Sequence, residues 1–91
     1  MSERRAAHGI RDNKDDRRFE LQIDGHVAFL DYERANKELR LLHTEVPPEL
    51  QGRGLATQLI RHAIDAAKHE KREVVSMCSA VDNYLAKHGQ G

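Results

Sequence analysis

Two prolines divide this chain into two kinds of periodicity. Pro47-Pro48 close a stretch in which apolar and polar residues alternate, and neither proline can donate a ladder hydrogen bond, so a strand must stop there. Beyond them, Leu55, Ala56, Leu59, Ile60, Ala63, Ile64 and Ala67 recur at the spacing of one helix face. Gln58, Arg61, His62, Asp65, Lys68 and His69 fall mostly on the other face and are expected to be solvated. Gly52 and Gly54 lie at the joint. Any fold for this chain must therefore place sheet before the joint and an amphipathic helix after it.

Upstream, Phe19-Glu20-Leu21-Gln22-Ile23 alternates with the two-residue period of a half-buried strand. Asp24-Gly25 is a dipeptide favoured in tight hairpins, because both positions tolerate positive φ. Residues 26–33 read as the return strand, and residues 35–38 as a polar turn. Residues 39–46 read as a third strand, with Leu39, Leu41 and His43 on one face and Arg40, Leu42 and Thr44 on the other. Downstream of the helix, residues 73–78 read as a short strand ending at Cys78. Val81, Tyr84 and Leu85 place a last short helix over residues 81–88. The expected fold class is α+β: an antiparallel meander leading into one right-handed β-α-β crossover, then a short C-terminal helix.

Composition narrows what such a chain does. Lys and Arg number 15, as do Asp and Glu, and that balance argues against general nucleic-acid binding. The longest apolar run, Val27-Ala28-Phe29-Leu30, is far short of the roughly 20 residues that span a bilayer. The first seven residues lack the apolar stretch of a secretory signal. A single cysteine fits a reducing compartment. A cytoplasmic monomer, partnered by neither membrane nor nucleic acid, is the expectation. Residues 1–18 carry ten charges and only Ile10 as a large aliphatic residue after Met1. They are expected to be mostly mobile, with residues 1–9 a flexible tail and 10–91 the domain. A short edge strand at Ile10 and Arg11 is not counted among the expected elements.

The chemistry concentrates at the joint. Glycines directly before a helix let bare backbone approach a ligand, and the first helical turn offers N–H groups without internal partners. A phosphate or diphosphate suits that end of the helix dipole, and Arg53 adds a charge-assisted contact. No Gly-Lys-Ser/Thr follows, which excludes a Walker loop, and Thr57 stands where a dinucleotide fingerprint has glycine. A glycine-softened turn with no ligand remains open at this point.

Gln51-x-x-Gly54-x-Ala56 resembles the coenzyme A signature of the GNAT N-acetyltransferase superfamily, Arg/Gln-x-x-Gly-x-Gly/Ala. The wider run from His43-Thr44-Glu45-Val46-Pro47-Pro48 through Gln51-Gly52-Arg53-Gly54 is similar to its short, roughly ninety-residue branch. The resemblance covers residues 10–88 and marks 10–91 as an N-acetyltransferase-like domain. It implies acetyl-CoA as the donor, with its diphosphate on Gln51, Gly52, Arg53, Gly54, Leu55, Ala56 and Thr57. It implies pantetheine pairing with the backbone of Glu45 and Val46, where two parallel strands splay apart. A coenzyme A-binding or interaction module with little transferase activity is the alternative. Where that branch has Pro and an aromatic after the cysteine, this chain has Ser79-Ala80.

Acetyl transfer to an amine, on a small molecule or a protein lysine, needs a base, a polarised thioester and a proton for the leaving thiolate. Glu45 is the first candidate base, or else a solvated strand carboxylate. His43 is a second candidate, or else structural. Cys78 is a nucleophile, a contact for the leaving sulfur, or a small hydrophobe. Tyr84 supplies the proton or packs in the core. No metal site is expected: His62 and His69 lie seven apart on the helix, with no carboxylate or cysteine at ligand spacing.

Overall fold

The computed structural model describes residues 9–88, so the segment expected to form a flexible tail lies almost wholly outside the described residues. Five strands form one sheet in the order of the sequence: β1 (Ile10–Asn13), β2 (Arg18–Ile23), β3 (His26–Ala35), β4 (Glu38–Glu45) and β5 (Glu73–Ser76). The first four are antiparallel neighbours, and β5 pairs with β4 in parallel. Helix α1 (Leu55–Glu70) makes the crossover, and α2 (Ser79–His88) closes the described chain. The mixed sheet with two helices is the α+β class expected. Asp24 and Gly25 both take positive φ, the hairpin geometry that the Asp-Gly pair favours.

One face of the sheet holds the core. Phe19, Leu30, Leu39 and Leu41 meet Leu59 and Ile60 of α1 and Val81 of α2, all essentially inaccessible to water. Each such side chain contributes roughly 1.5–3 kcal/mol by burial. The other face carries no helix among the described residues. Its register places Glu20, Phe29 and Glu45 in one row and Arg18, Asp31 and His43 in the next. Arg11 lies opposite Glu20, Arg40 lies between Glu33 and Val75, and Glu38 lies opposite Glu73. The strands thus present six carboxylates and three guanidinium groups on this outer face.

Two departures from the sequence reading have physical causes. The first is β1, which forms although its segment is short of apolar residues. Its Asp12 accepts hydrogen bonds from Tyr32 Oη and from Arg34 (3.1 Å), and Arg34 also grips Glu70 through two bonds of 2.8 and 2.6 Å. Arg72 adds a third contact to Glu70 at 2.8 Å. Charge pairing with β3 and α1 thus supplies what hydrophobic burial cannot. Burial first, and then the bond to Asp12, push the Tyr32 phenol up to about 12. The Arg34 guanidinium, opposed by burial and assisted by Arg72, holds Glu70 down at about 2.

A depressed carboxyl stabilises the fold above its unfolded value, and that contribution is lost as pH falls through about 2. Arg34→Met is therefore expected to lower unfolding stability by about 1–2 kcal/mol at neutral pH in urea titrations. It is also expected to flatten the acid limb below pH 4. An unchanged midpoint would show that β1 is held by something else.

The second departure lies in β4. Leu39 and Leu41 face the core as expected, but Tyr32 pairs with Leu41 while Asp31 pairs with His43, so Leu42 is an extra, bulged residue. The bulge flips the alternation. His43 and Glu45 turn to the outer face instead of following Leu41 inward, and Thr44, opposite Leu30, turns inward. Strict alternation would have buried a glutamate in the core, at a cost of several kcal/mol, and the bulge avoids it.

Candidate active site

Pro47, with φ −56° and ψ 151°, ends β4, and Pro48–Leu50 form a single 3-10 turn whose Leu50 is buried. That anchor fixes the following loop against the core. The Gln51 side chain donates to the Val46 carbonyl at 3.1 Å, tying the loop back to the end of β4. Gly52 and Gly54 then adopt φ of 83° and 74°. These are left-handed conformations that cost a branched residue dearly. A Cβ built on either glycine would meet no heavy atom within 4 Å outside its chain neighbours, so the space above the loop is open.

Gly54 caps α1 without any side-chain hydrogen bond, and the first turn contains no acidic residue. The first α-helical bond runs from Gln58 N–H to Gly54 O at 3.1 Å. The N–H groups of Leu55, Ala56 and Thr57 are therefore left over at the positive end of the helix dipole. Val46, Gln51, Gly52, Gly54, Leu55, Ala56 and Thr57 line one cleft of about 280 Å³. Arg53 does not line it; its guanidinium reaches 3.7 Å toward Asp24 of the β2–β3 turn and stays half exposed.

Beside this cleft the parallel strands part. Their register ends at Leu41 opposite Ser76, with one further bond from Met77 N–H to Leu41 O at 2.9 Å. The last residues of β4 continue with no β5 partner, which leaves one backbone edge unpaired by the sheet. The strand read as ending at Cys78 stops at Ser76, and α2 starts at Ser79 rather than at 81. Cys78 is consequently the N-cap of α2: its carbonyl accepts the first helical bond, from Asp82 N–H at 3.0 Å. Burial pushes its thiol up, but hydrogen bonding from the backbone at Val81 and Ala80 and from Thr44 outweighs this and lowers its pKa. The Cys78 Sγ–Thr44 Oγ1 distance is 3.6 Å. A thiolate at a helix N-terminus is a nucleophile.

Glu45 and His43 stand on the outer face, with Oε1 and Nε2 2.9 Å apart and each side chain 58% exposed. Tyr84 lies away from them, in a groove of about 180 Å³ between α1 and α2, stacked on His88 with ring centroids 4.4 Å apart. That groove shares Ala56 and Thr57 with the loop cleft. His62, expected on a solvated face, is instead half-buried edge-on against Phe19 at 5.1 Å, and burial lowers its pKa. Among the described residues no group of three or more potential ligands gathers for a metal.

Residues 18–90 match the family model of the GCN5-related N-acetyltransferases. The chain belongs to that family. Membership supports acetyltransferase-type function and agrees with the mixed sheet and its crossover helix. Sequence reasoning missed Thr44 as the partner of Cys78. The signal was present in Leu41-Leu42, two adjacent large apolar residues that a two-residue alternation cannot both send inward.

Proposed function

We propose that this chain is an acetyl-CoA-dependent N-acetyltransferase that transfers acetyl to an amine. The observation that supports it most is the start of α1, where glycines of positive φ, three leftover N–H groups and an absence of acidic side chains face an open cleft. Those features suit a diphosphate, and the Gln51, Gly52, Leu55, Ala56 and Thr57 backbone would hold it. The unpaired edge at Glu45 and Val46 would hold the amide-bearing arm of the donor in the manner of a missing strand. When bound, acetyl-CoA supplies an activated acyl group whose thioester is cleaved in the transfer.

The chain's own residues divide the remaining work. Cys78 Sγ would attack the acetyl carbon and carry the acetyl group as a protein thioester, the donor's C–S bond breaking and its thiolate leaving to take up a proton from water. The acceptor amine then attacks the same carbon, the Cys78 C–S bond breaks, and Cys78 returns to thiolate. Glu45, paired with His43, accepts the amine's proton. Tyr84 is better placed for packing along the α1–α2 groove than for this step.

Acetyl-CoA at a hundredfold excess over its dissociation constant is expected to add about 2.7 kcal/mol of stability. For a domain of this size that raises the melting midpoint by roughly 10 °C or more. No shift at millimolar acetyl-CoA would overturn the reading. A shift without amine-dependent thiol release would instead identify a coenzyme A-binding module.

A further inference from the structure

Only two residues, Met77 and Cys78, join β5 to α2. The Cys78 sulfur receives hydrogen bonds from the backbone at Ala80 and Val81 on α2 and from Thr44 on β4. Its surroundings therefore depend on where the start of α2 sits relative to β4. On the β4 side the joint is pinned by Met77 N–H, which donates to Leu41 O at 2.9 Å. On the α2 side the pin is a pair of side chains that the transfer itself does not use. Ser76 Oγ lies 2.6 Å from Asp82 Oδ1 and 3.1 Å from the Cys78 carbonyl. A hydroxyl carries one proton, and the shorter bond to a carboxylate is the stronger of the two. The same carbonyl accepts Asp82 N–H at 3.0 Å. The main chain and side chain of Asp82 thus close a ring from the end of β5 to the first turn of α2.

We propose that Ser76 and Asp82 are positioning residues that hold the start of α2 so that its first N–H groups meet the Cys78 sulfur. The proposal rests on the acetyl-transfer reading above and adds what aims its nucleophile. With the ring open, the two-residue link alone sets α2 against β5, and hydrogen bonds weaken steeply as a donor turns away. Asp82 also carries a charge, and that charge acts in the opposite direction. A carboxylate near a thiol disfavours the thiolate, so removing the charge alone lowers the thiol pKa, whereas losing the N–H contacts raises it. Among the described residues, the other titratable groups here are His43 and Glu45 on this end of β4, Glu73 at the far end of β5, and Tyr84, Lys87 and His88 along α2. On the side facing α2, helix α1 presents Ala56, Thr57 and Ile60, none of which titrates.

The test reads the Cys78 thiol of the full chain by its rate of alkylation with iodoacetamide across pH, beside acetyl uptake from acetyl-CoA. Ser76→Ala and Asp82→Ala are each expected to move the alkylation midpoint to higher pH. Each should also slow acetyl uptake at neutral pH by on the order of fivefold, as the thiolate fraction falls. The double variant should be no worse than either single one, since the two residues share one bond. Ser76→Thr keeps the hydroxyl and should keep the parent's midpoint. Melting should change by only a few degrees in every variant, because the Ser76–Asp82 bond is exposed. An unmoved midpoint in Ser76→Ala would overturn the proposal. So would a downward move in Asp82→Ala, which would make Asp82 a charged neighbour only, or single effects that simply add. Because iodoacetamide needs no donor, these results leave the acetyl-CoA reading standing. A parent chain that alkylates as expected but takes up no acetyl group removes the cysteine-linked transfer instead, and not the positioning.

Discussion

Replacing Gly54 by valine is expected to abolish acetyl-CoA binding in calorimetry. Two effects act together. Gly54 sits at φ 74°, a conformation that a β-branched residue adopts only with about 1–3 kcal/mol of strain. The new side chain also projects into space that is empty of protein atoms and faces the leftover N–H groups of α1. Gly54→Asn separates the two effects, because asparagine tolerates the left-handed conformation while still placing bulk above the loop. This variant is expected to melt within a few degrees of the parent and to bind acetyl-CoA at least about tenfold more weakly. Unchanged affinity in Gly54→Asn would place the diphosphate away from this loop.

The second large effect is expected at Cys78. Incubation with acetyl-CoA alone should add one acetyl group to the chain, located on Cys78 by mass spectrometry, and Cys78→Ser and Cys78→Ala should both lack it. The two variants differ structurally. Serine is a strong helix N-cap and should keep α2 in place, whereas alanine forfeits the cap at a cost of about 1 kcal/mol. Amine-dependent thiol release should fall in both by about a hundredfold or more, as when an essential nucleophile is removed. A serine variant that works at the parent's rate would show that Cys78 only caps the helix and that transfer is direct.

The pH dependence follows from the lowered thiol pKa. The rate of acetyl loading should climb with pH and level off below the value of an ordinary cysteine. Thr44→Val removes one stabilising contact to the sulfur and should move that plateau to higher pH. The stability linkage has the matching sign. A thiol whose folded pKa lies below its unfolded one stabilises the fold fully above the unfolded value. The contribution disappears as pH falls through the folded value.

Much of this protein is written locally. The alternation from Phe19 to Ile23, the Asp24-Gly25 turn, the Pro47-Pro48 stop and the helical recurrence from Leu55 to Ala67 each depend on neighbours within a few residues. They determine the meander, the crossover helix and the glycine joint where the cleft forms. The signature at Gln51, Gly54 and Ala56 belongs to the same class, since a helix start exposes its N–H groups whatever surrounds it.

Tertiary structure decided the rest, because the deciding partners are distant in the chain. Whether the charged segment at Asp12 pairs as a strand depends on Arg34, 22 residues away, and on Glu70 beyond it. The outward turn of His43 and Glu45 depends on pairing β3 with β4 while keeping a carboxylate out of the core. The pKa of the Cys78 thiol is lowered where a helix begins, beside a threonine 34 positions earlier. Periodicity describes one strand or one helix at a time. Register between strands, and which polar groups meet across them, is set only when the whole sheet chooses the arrangement that buries the fewest unpaired charges.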